Sequence, residues 1–174
     1  MYLLARLTKP ESVVETGVAN GISTFFILNA MKNNGVGKLT SIDLSYDVAT
    51  FLNGEERALW ELKVLKTKIN PRRQFKDILS GIQSLSIYLH DGDHSYLLQQ
   101  MEYGLAFKKL KSGGMILSDD VDSSFAFIDT FGKSASLWTE FKGILLGKKQ
   151  NIRVYSKEIL KCAKVFGTNG NSKG

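Results

Sequence analysis

The chain has 174 residues, 43% hydrophobic and 23% charged, with a net charge of +6 and one cysteine, Cys162. That length suits one domain whose core stands without staples, and a single cysteine excludes an internal disulfide framework and fits a reducing compartment. No apolar run approaches the roughly 18 residues of a membrane span. Arg6 and Lys9 follow the apolar start instead of preceding it, the reverse of a secretory signal, so a cytoplasmic protein without a membrane partner is expected.

In chain order, "SVVET" (12–16) is a short β-prone run ending at Gly17. Ile22, Phe25, Phe26, Leu28 and Met31 then recur at helical spacing, and "NNGVG" (33–37) stops that helix. A second strand, "KLTSIDL", ends at Asp43. Residues 44–58 read as a long loop with some helix, and "WELKVLKT" (60–67) as a third strand. Pro71 opens a helix running to about Ile82. The strand in "SIYLHDGDHSYL" follows, then a helix over 96–110 with Leu98, Met101 and Leu105 on one face. "SGG" (112–114) is expected to turn the chain into the apolar strand "MILSDD". A helix over 135–146 and strands in "IRVYS" and "CAKVF" complete the pattern, and the polar tail 168–174 carries nothing to order it. Alternating strands and helices predict an α/β, Rossmann-like, doubly wound and mostly parallel sheet in one domain over residues 1–167.

Two features carry chemistry. Gly17 and Gly21 stand where the first strand turns into the first helix: Gly17 allows a sharp turn, and Gly21 allows a ligand close to the free N–H groups of the helix start. The dinucleotide pattern G-x-G-x-x-G is not met, because position 19 is alanine, which counts against NAD and FAD. Asp43, ending the second strand, suits hydrogen bonds from ribose hydroxyls. The other feature is acidic: the strand before "HDGDH" ends at Asp91, with Asp93 and both histidines, His90 and His94, beside it, and another strand ends in Asp119 and Asp120.

Together, "VVETGVANGISTFFILNAM", "KLTSIDLS", "IYLHDGDHSY" and "LKSGGMILSDDVD" resemble class I S-adenosylmethionine-dependent methyltransferases. More narrowly they are similar to methyltransferase domain 24, a group that includes metal-dependent sugar O-methyltransferases. The resemblance covers roughly residues 10 to 130 and implies about seven strands with an antiparallel C-terminal one. It implies that Glu15, Thr16, Gly17, Asn20 and Gly21 surround the methionine end of S-adenosylmethionine and that Asp43 holds its ribose. Asp91 joins the cofactor contacts, and Thr67 in "LKTK" is the polar group left for the adenine.

In such a fold the strands ending at Asp91 and at Asp119–Asp120 are neighbours about 4.8 Å apart. Three carboxylates so close repel unless a cation compensates them, and oxygen donors suit Mg²⁺ or a similar ion. A metal there would orient an acceptor hydroxyl and lower its pKa. Asp93 is the candidate general base by resemblance, and His94 its rival, because imidazoles titrate near neutrality. The expected activity is O-methylation of a small hydroxylated molecule. Helix capping by Asp91 and Asp93 is the structural alternative. A cofactor-binding domain that has lost catalysis is the functional one. The basic stretches 63–76, 108–111 and 147–153 raise a nucleic-acid methyltransferase, but no amino-methylating Asn/Asp-Pro-Pro-Tyr/Phe motif follows the fourth strand. With few residues before the first strand, a second copy of the chain is a candidate to cover the site.

Overall fold

The computed structural model describes residues 1–66 and 68–131 and the backbone of 153–156. Among them the elements run α1 (Tyr2–Thr8), β1 (Ser12–Thr16), α2 (Ile22–Asn34), β2 (Lys38–Asp43), a 3₁₀ turn (Glu55–Leu59), β3 (Trp60–Val64), α3 (Pro71–Ser80), β4 (Leu85–His90), α4 (Tyr96–Lys109), β5 (Leu110–Ser118), α5 (Ala126–Phe131) and β6 (Arg153–Ser156). The expected helix over 135–146 and the strand in "CAKVF" lie outside the described residues, as does Cys162.

The strands form one sheet in the order β3-β2-β1-β4-β5-β6. The first five are mutually parallel, and β6 pairs antiparallel with β5. Strand order reverses between β1 and β4, whose registers place Thr16 beside His90. At such a switch point the loops leaving adjacent strands diverge, one to each face, and open a crevice at the carboxyl ends.

Alternation along each strand builds two cores. Val13, Ile87, Leu89 and Leu117 face one side with Ile27, Leu28 and Met31 of α2. Val14, Tyr88 and Ile116 face the other, against Phe75 and Leu79 of α3, Tyr103 and Ala106 of α4 and Phe127 of α5. Both faces are covered, as a doubly wound parallel sheet requires.

Local differences from the sequence reading have physical causes. The "SGG" segment does not precede β5 but lies within it: pairing begins at Leu85 with Leu110, shifts register, and resumes at Ile87 with Met115. An extra loop of strand is accommodated there by Gly113, which has φ 74°. Helix α1, which the sequence reading did not anticipate, spans only seven residues, too few to show a period; it packs against α2, where Asn34 Nδ2 donates to the Ala5 carbonyl at 2.9 Å. Helix α5 at Ala126–Phe131 follows β5 where the sequence reading placed no element. β3 ends at Val64 rather than Thr67, and α3 at Ser80.

Candidate functional site

The glycine turn between β1 and α2 is built by contact between distant segments. A β-carbon on Gly17, which has φ +78°, would lie 1.9 Å from the Asp91 carbonyl oxygen. One on Gly21, at φ +76°, would lie 2.2 Å from the Ala49 β-carbon. At Gly21 the close approach is made by the chain itself: the loop after β2 folds back, and Ala49 N–H donates to the Ala19 carbonyl at 3.0 Å. Gly17 keeps the tips of β1 and β4 together, where Asp91 N–H donates to the Thr16 carbonyl at 2.9 Å.

Beside this turn lies a cavity of about 300 Å³, at the lower end of small-molecule sites. Its lining includes Thr16, Gly17 and Asp43 from the ends of β1 and β2, Leu65, Lys66, Gln74 and Phe75 from the segment after β3 and from α3, and Gly92, Asp93, Leu98, Met101 and Glu102 from the β4 tip and α4. Asp43 is fixed by backbone donors. Its Oδ2 accepts Val18 N–H at 2.8 Å, and its Oδ1 accepts Leu44 N–H at 2.6 Å and Ser45 N–H at 3.0 Å. Gln74 fastens the far wall, accepting Lys66 N–H at 2.8 Å and donating to the Lys66 and Ile69 carbonyls. Thr67, the expected adenine contact, lies outside the described residues.

The remaining expected cofactor residues stand behind or beside this cavity. Glu15 is fully buried and committed to Ser23, Thr24 and Ser41, the last two at 2.7 and 2.8 Å. Burial pushes its carboxyl up from the ordinary value, against the pull of those hydroxyls. Ser41 in turn accepts the Trp60 indole N–H at 2.9 Å. Glu15 thus ties β1, β2, β3 and the start of α2 together. Asn20 is exposed in the turn.

The acids gather where β4 and β5 end side by side, with Asp119 N–H donating to the His90 carbonyl at 2.9 Å. Asp91 is exposed toward solvent, yet the protein around it strips enough hydration to push its carboxyl up to about 7; repulsion from Asp119, Glu15 and Asp120 adds to the shift. Asp119 is also raised, by burial first, and its Oδ1 is buried without a hydrogen-bond partner. Asp120, at φ 46°, brings its Oδ2 to 3.8 Å from His94 Nε2, while its charge still raises both other acids. The closed three-carboxylate cluster is accordingly not assembled: among the described residues no group of three His, Cys, Asp or Glu side chains is arranged to hold a metal ion. Two oxygen donors with an unmet charge still fit Mg²⁺, which keeps several waters and takes one or two carboxylates.

Asp93 faces the cavity with one oxygen occupied. Its Oδ1 accepts Ser95 N–H at 2.8 Å ahead of α4, and that bond holds the carboxyl below its ordinary value. Ser95 is itself the N-cap of α4 and caps it with no side-chain bond, so this is a turn ahead of the helix and not the cap weighed from the sequence. His94 keeps Nδ1 buried and without a partner, its ring edge-on to His90 at 5.5 Å.

The sequence reading missed Glu102. It is 5% exposed, lines the cavity, and collects Tyr88 OH at 2.5 Å, His90 Nδ1 at 2.9 Å and Thr16 Oγ1 at 3.1 Å on Oε2. The available signal was Gln99 and Glu102, three residues apart beside the apolar face of Leu98, Met101 and Leu105.

The family model described as a methyltransferase domain (Methyltransf_24) matches residues 14–121, well over half of the chain. The chain belongs to this family. It is an S-adenosylmethionine-dependent methyltransferase. Solved structures share the fold at low identity. The O-methyltransferase TomG of Streptomyces achromogenes, involved in tomaymycin synthesis and seen with S-adenosylmethionine, is 18% identical (TM-score 0.62, covering 89% of this chain and 77% of that one). An O-methyltransferase of Bacillus cereus in complex with S-adenosylhomocysteine is 14% identical (TM-score 0.62, 90% and 78%). The methyltransferase MycE of the mycinamycin pathway, in complex with Mg, S-adenosylhomocysteine and mycinamycin VI, is 11% identical (TM-score 0.60, 88% and 47%). No curated protein sequence matches the chain.

Proposed function

We propose that this methyltransferase moves the methyl group of S-adenosylmethionine to a hydroxyl of a small molecule, with a divalent cation at Asp91 and Asp119. The observation that supports it above the others is the contact between Gly17 and the Asp91 carbonyl, which sets the acidic strand tips against the cofactor turn. In this reading Asp43 accepts the ribose hydroxyls through the lone pairs its backbone donors leave free. Leu65, Phe75, Leu98 and Met101 supply the apolar walls against which the cofactor excludes water.

A bound cation would supply Lewis-acid polarisation of the acceptor oxygen. The orphaned Asp119 Oδ1 and the raised carboxyl of Asp91 are what such an ion would satisfy. Asp93, which lines the cavity, and its neighbour His94 are the candidate proton acceptors. His94 is the better placed, because Asp93 is held acidic by its bond to Ser95. Transfer itself requires the oxygen, the methyl carbon and the sulfur in line, and holding them so is where most of the acceleration arises. A cytoplasmic site of action fits the single cysteine, and no described helix is long and apolar enough to cross a membrane.

Calorimetry with S-adenosylmethionine, followed by a methyl-transfer screen on hydroxylated acceptors with and without EDTA, tests the reading. Cofactor binding with EDTA-sensitive turnover is expected. EDTA-insensitive turnover removes the cation, and binding without transfer to any acceptor favours a domain that has lost catalysis.

A further inference from the structure

A chain of buried hydrogen bonds starts at the cavity wall and ends in the segment that carries the acids. At the cavity, Glu102 Oε2 receives Thr16, Tyr88 and His90. Burial and the neighbouring Glu102 carboxylate push the Tyr88 hydroxyl well up, so it stays a donor. His90 is fully buried. With its Nδ1–H given to Glu102, its Nε2 accepts, and the Gln99 amide nitrogen stands 3.2 Å away. The amide orientation and the tautomer follow from this pattern. Gln99 Oε1 then accepts Ser124 Oγ, and Ser124 Oγ accepts Ala126 N–H at 3.2 Å, at the start of α5. Every donor points the same way, from α5 through Ser124, Gln99 and His90 to the Glu102 carboxylate.

Such a one-directional chain is polarised along its length, and a change at one end alters every bond in it. Holding α5 in place does not require it. Phe127 packs on Tyr103 at 5.7 Å between ring centres, and Phe131 packs on Tyr103 and Phe127. Tyr96 OH also donates to Asp129 Oδ2 at 2.8 Å. What the polar chain adds is a link from the cavity to the loop between β5 and α5, just beyond Asp119 and Asp120.

We propose that Glu102, His90, Gln99 and Ser124 form a relay of positioning residues that couples occupancy of the cofactor cavity to the order of residues 119–131. The inference rests on that cavity being the cofactor site. A ligand that fills the cavity excludes water from the Glu102 wall, and the lower local dielectric strengthens the three bonds Glu102 accepts, fixes His90, and through Gln99 fixes Ser124. Linkage makes the effect reciprocal: an ordered loop favours cofactor binding by the same factor.

Hydrogen–deuterium exchange of the full chain, with and without S-adenosylhomocysteine, reads the coupling directly. Amides of 119–131 are expected to exchange roughly fivefold or more slowly when the ligand is bound. Ser124→Ala should abolish that ligand-dependent slowing and, by the same linkage, weaken calorimetric affinity by about the factor the slowing shows and no more, because Ser124 does not line the cavity; Ser124→Thr should restore both. A merely structural serine gives another result: exchange quickens equally with and without ligand, and the ratio stays as in the wild type. That outcome, or no slowing in the wild type, overturns the proposal while calorimetry still shows binding. Absence of binding by calorimetry overturns the cofactor reading and the coupling together.

Discussion

The carbonyl oxygen of Asp91 occupies the place a side chain on Gly17 would need, with 1.9 Å between it and an added β-carbon. Two strand tips and the start of the site thus meet at one atom that is missing. Gly17→Ala is expected to destabilise by about 2–4 kcal/mol, adding the left-handed penalty to overpacking against backbone. Gly104→Ala is the control. It lies within α4 with nothing inside 4 Å, and should stabilise by about 0.5–1 kcal/mol. Urea unfolding of both variants checks the opposite signs.

Asp43 receives three backbone donors and still lines the cavity. Asp43→Asn keeps the shape but removes the charge that, on the proposed reading, would strengthen hydrogen bonds from ribose. A hydrogen bond to a charged group contributes about 1.5–3 kcal/mol, so affinity for S-adenosylhomocysteine should fall about tenfold to a hundredfold. Calorimetry that finds equal affinity would take Asp43 off the ligand.

Glu15 offers a pH dependence far from the acids. Its folded carboxyl is raised above the ordinary 4.5 by burial, so the folded state holds a proton that the unfolded chain has released. Stability therefore falls as pH rises from about 4.5 through the folded value, and the loss is complete above it. Glu15→Gln removes the titration. The melting temperature of the variant relative to wild type should rise between pH 5 and pH 8; a constant difference would show Glu15 equally content in both charge states.

Asp91 adds to the same trend at the rim. An ordinary aspartate titrates near 3.8 and Asp91 near 7, so charging it costs stability progressively between those values. On the proposed cation site, bound Mg²⁺ would offset that cost only where both acids are ionised. Added Mg²⁺ should raise the melting temperature at pH 8, hardly at all at pH 5, and EDTA should reverse it. Asp119→Asn should melt higher than wild type at pH 8 without metal and lose the response to Mg²⁺.

How far the sequence reached depended on the range of the interaction. Alternation predicted a doubly wound parallel sheet, and the resemblance to class I methyltransferases implied its strand order, so the neighbouring tips carrying Asp91 and Asp119 were legible before any coordinates. The partner of Gly21 was not. Nothing near it announces that Ala49, in a loop of weak periodicity, will rest on it. Asp120 looked equivalent to Asp119, yet its left-handed backbone sends it toward His94. Glu102 was hidden for a different reason: an acid within a helix reads as solvated surface until Tyr88 and His90 arrive from β4 to bury it.

The proton acceptor is the last point that geometry separates. Asp93 spends one oxygen on Ser95, and that bond lowers its basicity. His94 keeps Nδ1 buried but is itself partly exposed, with Nε2 3.8 Å from Asp120 Oδ2, so Nε2 is the nitrogen left for an acceptor hydroxyl that enters beside Asp93. His94→Asn should therefore reduce kcat by roughly a hundredfold or more, the size of a general-base contribution, with cofactor affinity retained. Asp93→Ala should cost about 1 kcal/mol of stability through the lost bond ahead of α4, and a smaller fraction of kcat. Single-turnover methyl transfer on an acceptor from the screen distinguishes them. A larger fall for Asp93→Ala, with His94→Asn near wild type, would assign the proton to Asp93 and leave His94 as packing beside His90.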